Sequence, residues 1–497
     1  MQPSAPADGA APAEGGAALR LALWAIAATL LLAAMGQTIV SPALPAIAAD
    51  LGAVDLVAWI VTAYLLASTV GAPVFGKLGD LFGRTAVLKG AIVVFLAGSL
   101  IAGFAGNVWV LVAGRIVQGL GGGGLIVVCM AAVADLLPPR ERGRAQAMLG
   151  SVFGIATVAG PLAGGLLVQT VGWHFIFFLN LPIGAVAFVA LSRLVRLPVP
   201  AGRAAIDFAG AGLLAALLSA LVLVASLGGR VLPWDSAALV GIAGAGLAAL
   251  AGFVAVEARA RDPVLPLGLF RTNAFVVVNA SGLLAGAAMF GTITFLPLFL
   301  QVVQGASPTL SGLFLAPMMV GVIAASQLAG RVMARTGRYR MMPVLAYLVL
   351  AAAMAGLALL DDGTPLVLIA GLMVLTGIGL GPGMGVGVAA IQNALPAAML
   401  GVGTASANMF RLIGGAVGTA GLGALFAAGL AADPRTAGVR FTAEGMAALP
   451  PALRAELVAH FAAAMHPVFW TAAAAALVAA ALSLALREAP VEGGPPR

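Results

Sequence analysis

Long apolar runs separated by short polar and basic loops fill the chain. Fourteen runs are long enough to cross about 30 Å of hydrocarbon at about 1.5 Å per helical residue. They are 21–45, 56–75, 87–106, 108–134, 145–170, 173–192, 208–227, 236–256, 272–301, 308–330, 341–360, 365–390, 400–430 and 467–487. The loop after the second run, Gly76 to Arg84 (GKLGDLFGR), recurs after the tenth as Gly330 to Arg338 (GRVMARTGR). An offset of 254 carries Gly76, Lys77, Gly83 and Arg84 onto Gly330, Arg331, Gly337 and Arg338. The same offset carries the starts of the first five runs to within three residues of the starts of runs nine to thirteen. A repeated loop with apolar surroundings at a constant spacing is what the internal duplication of a membrane bundle leaves behind.

The predicted architecture is all-α and membrane-integral. Two pseudo-repeated six-helix bundles occupy 21–192 and 272–487, joined by a linker over 193–271 that adds two unrepeated spans, expected to be peripheral. The sixth run maps to 427 but is found near 467, which leaves an outer loop at 431–466. Within that loop Leu449 to Met465 is expected to form a short amphipathic helix. Residues 1–20, rich in Ala, Pro and Gly, are expected to be a disordered tail, and 488–497 a second tail. The first run is longer than the apolar part of a cleaved signal peptide and has no basic segment before it, so it is expected to stay as a span.

Composition sharpens this picture. The chain is 62% hydrophobic and 9% charged, against roughly 25% charged residues in soluble domains. Its net charge of +7 reflects orientation, because Lys and Arg gather in cytoplasmic loops. With both termini cytoplasmic, nineteen of the 25 Lys and Arg fall on the cytoplasmic side. Arg230, Arg435, Arg440 and Arg454 fall outside, and Arg115 and Arg411 lie within spans. The basic loops lack interleaved aromatic residues, so a nucleic-acid partner is not expected. Cys129 is a lone cysteine, and His174, His460 and His466 have no metal-ligand spacing. No metal or cofactor is expected, and no nucleophile or acid–base set lies within the spans to suggest an intramembrane enzyme.

Candidate chemistry is confined to a few polar groups at membrane depth. An arginine there costs about 2.5–3.5 kcal/mol on insertion scales and usually faces a bundle interior or a cavity; snorkelling to a helix end is the alternative. Gln118 shares a face with Arg115, and Gly119 with Gly121 to Gly124 lets a neighbouring helix approach. In the fifth run Gly150 with Gly154, and Gly160 with Gly164, are expected as contact faces beside a kink at Pro161, with Gly165 following. Gln37, Thr38, Asn279, Gln327 and Asn408 complete the cavity candidates; each could instead bond only between helices.

These segments resemble the major facilitator superfamily, and within it the fourteen-helix drug:proton antiporters. The resemblance runs from Leu21 to about Leu486. GKLGDLFGR is similar to the signature loop between helices 2 and 3, and LVAGRIVQGLGGGG (Leu111 to Gly124) to the helix 4 motif with its membrane arginine. The run ending GPLAGG (Gly160 to Gly165) resembles the antiporter motif, WHFIFFLNLPIG (Trp173 to Gly184) the start of helix 6, and QTIVSPALPAI (Gln37 to Ile47) the helix 1 motif. The resemblance implies a monomeric multi-pass exporter of the cell membrane, conferring drug resistance by multidrug efflux. It implies alternating access by two rocking bundles, protons as the coupling ion and lipophilic small molecules as substrates. Asp80 and Arg84, with Arg331 and Arg338 opposite and Gly76 and Gly83 shaping the loop, would form a cytoplasmic latch favouring the outward-open state. A non-coupled facilitator, an exporter of one metabolite or lipid, and a non-transporting sensor stay open as alternatives. One departure stands out: the family commonly has an aspartate where this chain has Gly36, and no span carries a carboxylate near its middle. That favours neutral, anionic or weakly cationic substrates over polycations.

The duplication predicts a simple topological result. In a Cys129→Ala background, single cysteines at Phe82 and Thr336 should react with an impermeant thiol reagent from the same side of the membrane. Labelling from opposite sides would overturn the two-bundle architecture.

Overall fold

The computed structural model describes residues 13–51, 57–194, 207–229, 232–436, 439, 446 and 449–488. The expectations for 1–12 and 489–497 lie outside the described residues, as do those for Arg230 and Arg440.

The first six spanning helices are α1 (Ala13–Thr38), α2 (Val57–Phe82), α3 (Arg84–Gly103), α4 (Val108–Leu136), α5 (Pro139–Thr170) and α6 (Asn180–Leu194), the last preceded by a short turn at Phe175–Phe178. The linker supplies α7 (Phe208–Leu227) and α8 (Ala237–Glu257). The second set is α9 (Asn273–Val302), α10 (Leu315–Thr336), α11 (Met341–Leu357), α12 (Leu366–Ala394), α13 (Leu400–Ala431) and α14 (Pro451–Leu484). Among the described residues thirteen helices are long and apolar enough to span a bilayer, and α11, with 17 residues, is the shorter fourteenth.

Two expectations need correction. Residues 13–20 are helical and extend α1 rather than belonging to a disordered tail. Leu449 to Met465 is not a separate surface helix: from Pro451 it is the first half of the 34-residue α14, which continues through Pro467. Leu457, Phe461 and Met465 are buried in the C-terminal core, so this half packs against the bundle instead of lying on lipid. The turn before it is tied down by ion pairs from Arg435 to Asp433 and Glu456. Hydrogen bonds from Arg435 hold the Asp433 carboxyl down at about 2.

Each bundle closes on glycine-lined contacts, as expected where lipid gives no hydrophobic drive for helix association. In α4, Gly119 and Gly123 lie against the backbone of α2 at Tyr64 and Ser68, while Gly121 lies against α3 at Ala91 and Phe95. In the second bundle Gly377 of α12 meets Met318 of α10, and Gly414 of α13 meets Leu283 of α9. The linking helices differ from each other. α8 packs on α7 and is largely exposed, whereas α7 sits in the seam between α2 and α13 and so is not merely peripheral. Capping fixes their ends: the Asp207 carboxylate accepts from Gly210 N–H (2.7 Å), and Glu257 accepts from Val264 and Leu265 N–H (3.0 and 3.2 Å).

The repeated loop does the same work twice. Gly83 and Gly337 both take positive φ (85° and 68°), a conformation that favours glycine, and both mark a helix boundary. Gly76 lets Gly401 and Ala405 of α13 approach α2, and Gly330 lets Gly143 and Arg144 of α5 approach α10. In both halves this glycine receives the first turns of a helix from the other bundle.

The packing predicts a contrast within α12. Gly377→Leu should lower stability by about 1–3 kcal/mol through overpacking against α10. Gly371→Ala, where an added Cβ meets nothing within 4 Å, should change it by less than about 0.5 kcal/mol. Thermal unfolding of the detergent-solubilised protein checks both.

Candidate functional site

Three arginines define the functional geometry, and each is compensated differently. Arg115 is 1% exposed. Its Nε donates to Ile60 O (3.2 Å), and its Nη1 reaches Gly36 O (2.9 Å) and Gln118 Oε1 (2.6 Å). Its guanidinium lies 4.1 Å from the centre of the Tyr64 ring. Gln118 Nε2 donates to Ser99 Oγ (2.8 Å), and Asn180 Nδ2 reaches the same oxygen (3.3 Å). Tyr64 Oη donates to Ala33 O (3.1 Å). The network joins α1, α2, α3, α4 and α6, so Arg115 and Gln118 act as a polar core inside the N-terminal bundle. The Phe95 ring occupies the space a Cβ on Gly36 would need. An aspartate at that position would have to displace Phe95.

The second arginine is Arg84, at the start of α3, where the sequence led us to expect a latch. Arg84 pairs with Asp80 and donates from Nε to Asp135 Oδ2 (3.0 Å). The Asp80 carboxylate, 7% exposed, also accepts from Gly401 N–H (2.9 Å) and Val402 N–H (3.0 Å), the second and third residues of α13. A side chain of the N-terminal bundle thus caps a helix of the C-terminal bundle and meets the positive end of its dipole. This corrects the expected partners: Arg331 and Arg338 are exposed, and Asp80 and Arg84 bond elsewhere.

Beside the latch, Arg142 Nη1 donates to Gln392 O (3.0 Å) and Asn393 Oδ1 (3.2 Å). Gln146 Nε2 reaches Gln392 Oε1 (3.1 Å), and Gln392 Nε2 reaches Thr404 Oγ1 (2.9 Å). Deeper in the seam Gln327 Nε2 donates to Ser151 Oγ (3.2 Å). These contacts close one end of the seam, the end carrying Lys77, Arg84 and Arg142. Sequence reasoning passed over Gln146 and Gln392, although uncharged polar residues inside apolar helices were a usable signal.

Away from the closed end, two cavities adjoin where Met384 and Arg411 line both. One, about 410 Å³ of space counted together with its open side, lies among α9, α11, α12 and α13; the other, about 300 Å³ counted the same way, lies against α1, α4 and α5. Of the eight cavity candidates only Arg411 lines either space. Its Nη2 donates to Asn408 Oδ1 (2.5 Å). Asn279 Nδ2 bonds back to Phe275 O (2.8 Å) within α9, and Gln37 is half-buried in α1. Thr38 Oγ1 lies 3.1 Å from Ala156 O of α5.

The fifth-helix motif divides between two tasks. Gly160 and Gly164 do receive α1, at Thr38, Ile39 and Pro42, in the stretch around Pro161, while Gly165 barely touches Pro42. Gly154 meets Ile323 of the opposite bundle. Gly150 corrects the expectation of a contact face: no neighbour lies within 4 Å of an added Cβ, and it lines the smaller cavity. At the start of helix 6, Trp173 Nε1 donates to Asp50 Oδ2 (2.9 Å), and Asn180 joins the Arg115 network, so these two members of that motif have structural partners.

Two six-helix bundles with a seam closed at one end and cavities deeper between them are the architecture of a membrane transporter. Residues 26–419 match the Major Facilitator Superfamily, and the chain belongs to that family. It is 39% identical over 477 residues to an uncharacterised MFS-type transporter of Mycobacterium tuberculosis, covering 93% of this chain and 68% of that protein. It is 35% identical over 392 residues to the multidrug transporter protein MdtP of Bacillus subtilis, covering 79% and 72%. Among solved structures, the human organic anion transporter MFSD10 (TETRAN) superposes with a TM-score of 0.66 at 16% identity, over 94% of this chain and 99% of that one. The proton:xylose symporter XylE superposes with a TM-score of 0.62, also at 16% identity, over 94% and 95%. At that identity the superpositions speak for the fold alone.

The cap geometry predicts the effect of Asp80→Asn. The Asp80–Arg84 pair lies within one bundle, so what opening breaks is the charge-assisted bonding of Asp80 to the Gly401 and Val402 N–H groups. Weakening it by about 1.5–3 kcal/mol would favour opening of this end by on the order of ten- to a hundredfold. In a Cys129→Ala background, a cysteine replacing Ala405 behind the latch should react much faster with a thiol reagent when Asp80 is Asn. Equal rates would exclude the latch.

Proposed function

We propose that this transporter exports lipophilic small molecules across the cell membrane by alternating access, with both termini cytoplasmic. The observation that carries this is the cross-bundle cap: Asp80 holds the α13 N-terminus and closes the basic end, while cavity space remains deeper in the seam. Because Lys and Arg favour the cytoplasmic side, the closed end is the cytoplasmic one, and the conformation faces outward. Breaking the cap would let the bundles tilt and open the cavity inward. Relatives named as multidrug transporters, MdtP and multidrug resistance protein 3 of Bacillus subtilis, support efflux as the direction. The apolar walls, with Met289, Met384 and Leu380, suit greasy solutes of varied shape, since methionine side chains repack easily.

Proton antiport is the drive that the sequence resemblance implies, and we carry it as part of the proposal, with a monomer as the working unit. The protonatable group is not among the residues lining the cavities, which include no Asp, Glu or His. An alternative drive, substrate movement without proton exchange, is favoured by that same lining.

Proteoliposomes with an imposed pH gradient separate the two. Addition of a transported lipophilic compound should dissipate the gradient if protons are exchanged. Transport that leaves the gradient intact would reject proton coupling, and absence of transport across a broad panel would reject the exporter reading.

A further inference from the structure

We infer that the cavity is an anion site, built to take amphipathic solutes that carry a carboxylate or similar anionic head on an apolar body. This deepens the export reading above and rests on it. Arg411 lies eleven residues into α13, about 16 Å along the helix, and lines both cavities. Its compensation differs from that of the other two buried arginines. Arg84 has two carboxylates. Arg115 has two carbonyls, an amide oxygen and an aromatic face, leaving it no reason to seek a ligand. Arg411 makes one side-chain hydrogen bond among the described residues, to the neutral Asn408.

That bond also turns the amide of Asn408. Because Oδ1 accepts from Arg411, Nδ2 is left as a donor; it is buried without a partner in a residue only 4% exposed. The guanidinium and an unpaired amide N–H₂ therefore sit together on one turn of α13, at i and i+3. Both are donors, so an acceptor, and preferably a charged one, completes them. Among the described residues no charged acceptor is supplied: no Asp or Glu lines either cavity, and the Tyr347 hydroxyl is the other polar group in the lining. The rest of the lining is apolar or glycine apart from Tyr347, with Met289, Leu380 and Met384 in one space and Ile126, Leu149 and Phe153 in the other. A lipophilic anion would place its head on Arg411, whose guanidinium Asn408 holds from outside the lining, and its body among these side chains. A lipophilic cation would meet an uncompensated positive charge.

Three probes sharing one apolar body test this: pyrenebutyrate, its methyl ester and pyrenebutylamine, with binding to the purified full-length protein read by fluorescence. The carboxylate should bind on the order of tenfold more tightly than the ester or the amine, as a charge-assisted pair implies. Arg411→Gln should remove that preference while leaving ester affinity within about twofold, and Arg411→Lys should restore part of it. Asn408→Asp, which places a carboxylate beside Arg411, should abolish carboxylate binding and improve amine binding. Equal binding of carboxylate and ester by the unmodified protein would overturn the anion site, whatever the variants do. So would a loss at Arg411→Gln that is the same for all three probes. Flux in proteoliposomes keeps the two readings apart. Arg411-dependent carboxylate binding without movement of any probe would uphold the site and reject export; movement of ester and amine without carboxylate selectivity would uphold export and reject the site.

Discussion

A charge buried away from water must be compensated where it lies, because neither lipid nor a packed interior provides water or a free counter-ion. Three buried or half-buried arginines meet this constraint in three ways, and the differences sort structure from function. Arg115 is surrounded by carbonyls, an amide and a ring, and it knits five helices of one bundle together. Arg84 is neutralised by Asp80 and Asp135, and through Asp80 the compensation reaches across to the backbone of the other bundle. Arg411 keeps its charge facing the cavity. Full compensation makes a rigid core, compensation across a seam makes a contact that can break, and incomplete compensation leaves a place for a ligand.

The seam works because small residues let backbones meet. Gly76 and Gly330 are the same position in the two halves, and each admits the start of a helix from the opposite bundle. The halves are nevertheless unequal in charge. The position equivalent to Asp80 is Ala334, so the second contact has no carboxylate cap and relies on Arg142, Gln146 and Gln392 with their amide and carbonyl partners. One contact across the seam is thus ionic and the other is made of neutral acceptors and a single guanidinium. Helix α7, lodged between α2 and α13, borders the ionic one.

The helix 1 departure has a packing origin. With glycine at position 36, the backbone carbonyl is free to accept from Arg115, and the Phe95 ring fills the vacant side-chain volume. The aspartate common in the resembled family is replaced here by a carbonyl oxygen and an aromatic ring. The arginine keeps its acceptor, but the site loses a titratable group.

Much of this was legible in the chain itself. Runs of apolar residues fixed the number and order of spans, since any segment crossing lipid must satisfy its backbone as a helix. The constant offset between Gly76–Arg84 and Gly330–Arg338 revealed the duplication, because backbone turns and close approaches select glycine wherever they recur. Arg115 and Arg411 were also visible as costly exceptions in an apolar background, and Asp80 and Arg84 as members of the loop that resembles the family's signature. Their partners were not. That Asp80 caps α13, 321 residues away, or that Gln146 meets Gln392, depends on which helix ends the bundles bring together. Local pattern carries no record of that. Nor could it distinguish Arg115 from Arg411: both are arginines within glycine-bearing helices, with a polar residue three positions away. Only the packing of neighbouring helices decided that one is enclosed by acceptors and the other lines a cavity, because compensation of a buried charge is a property of the whole surrounding shell.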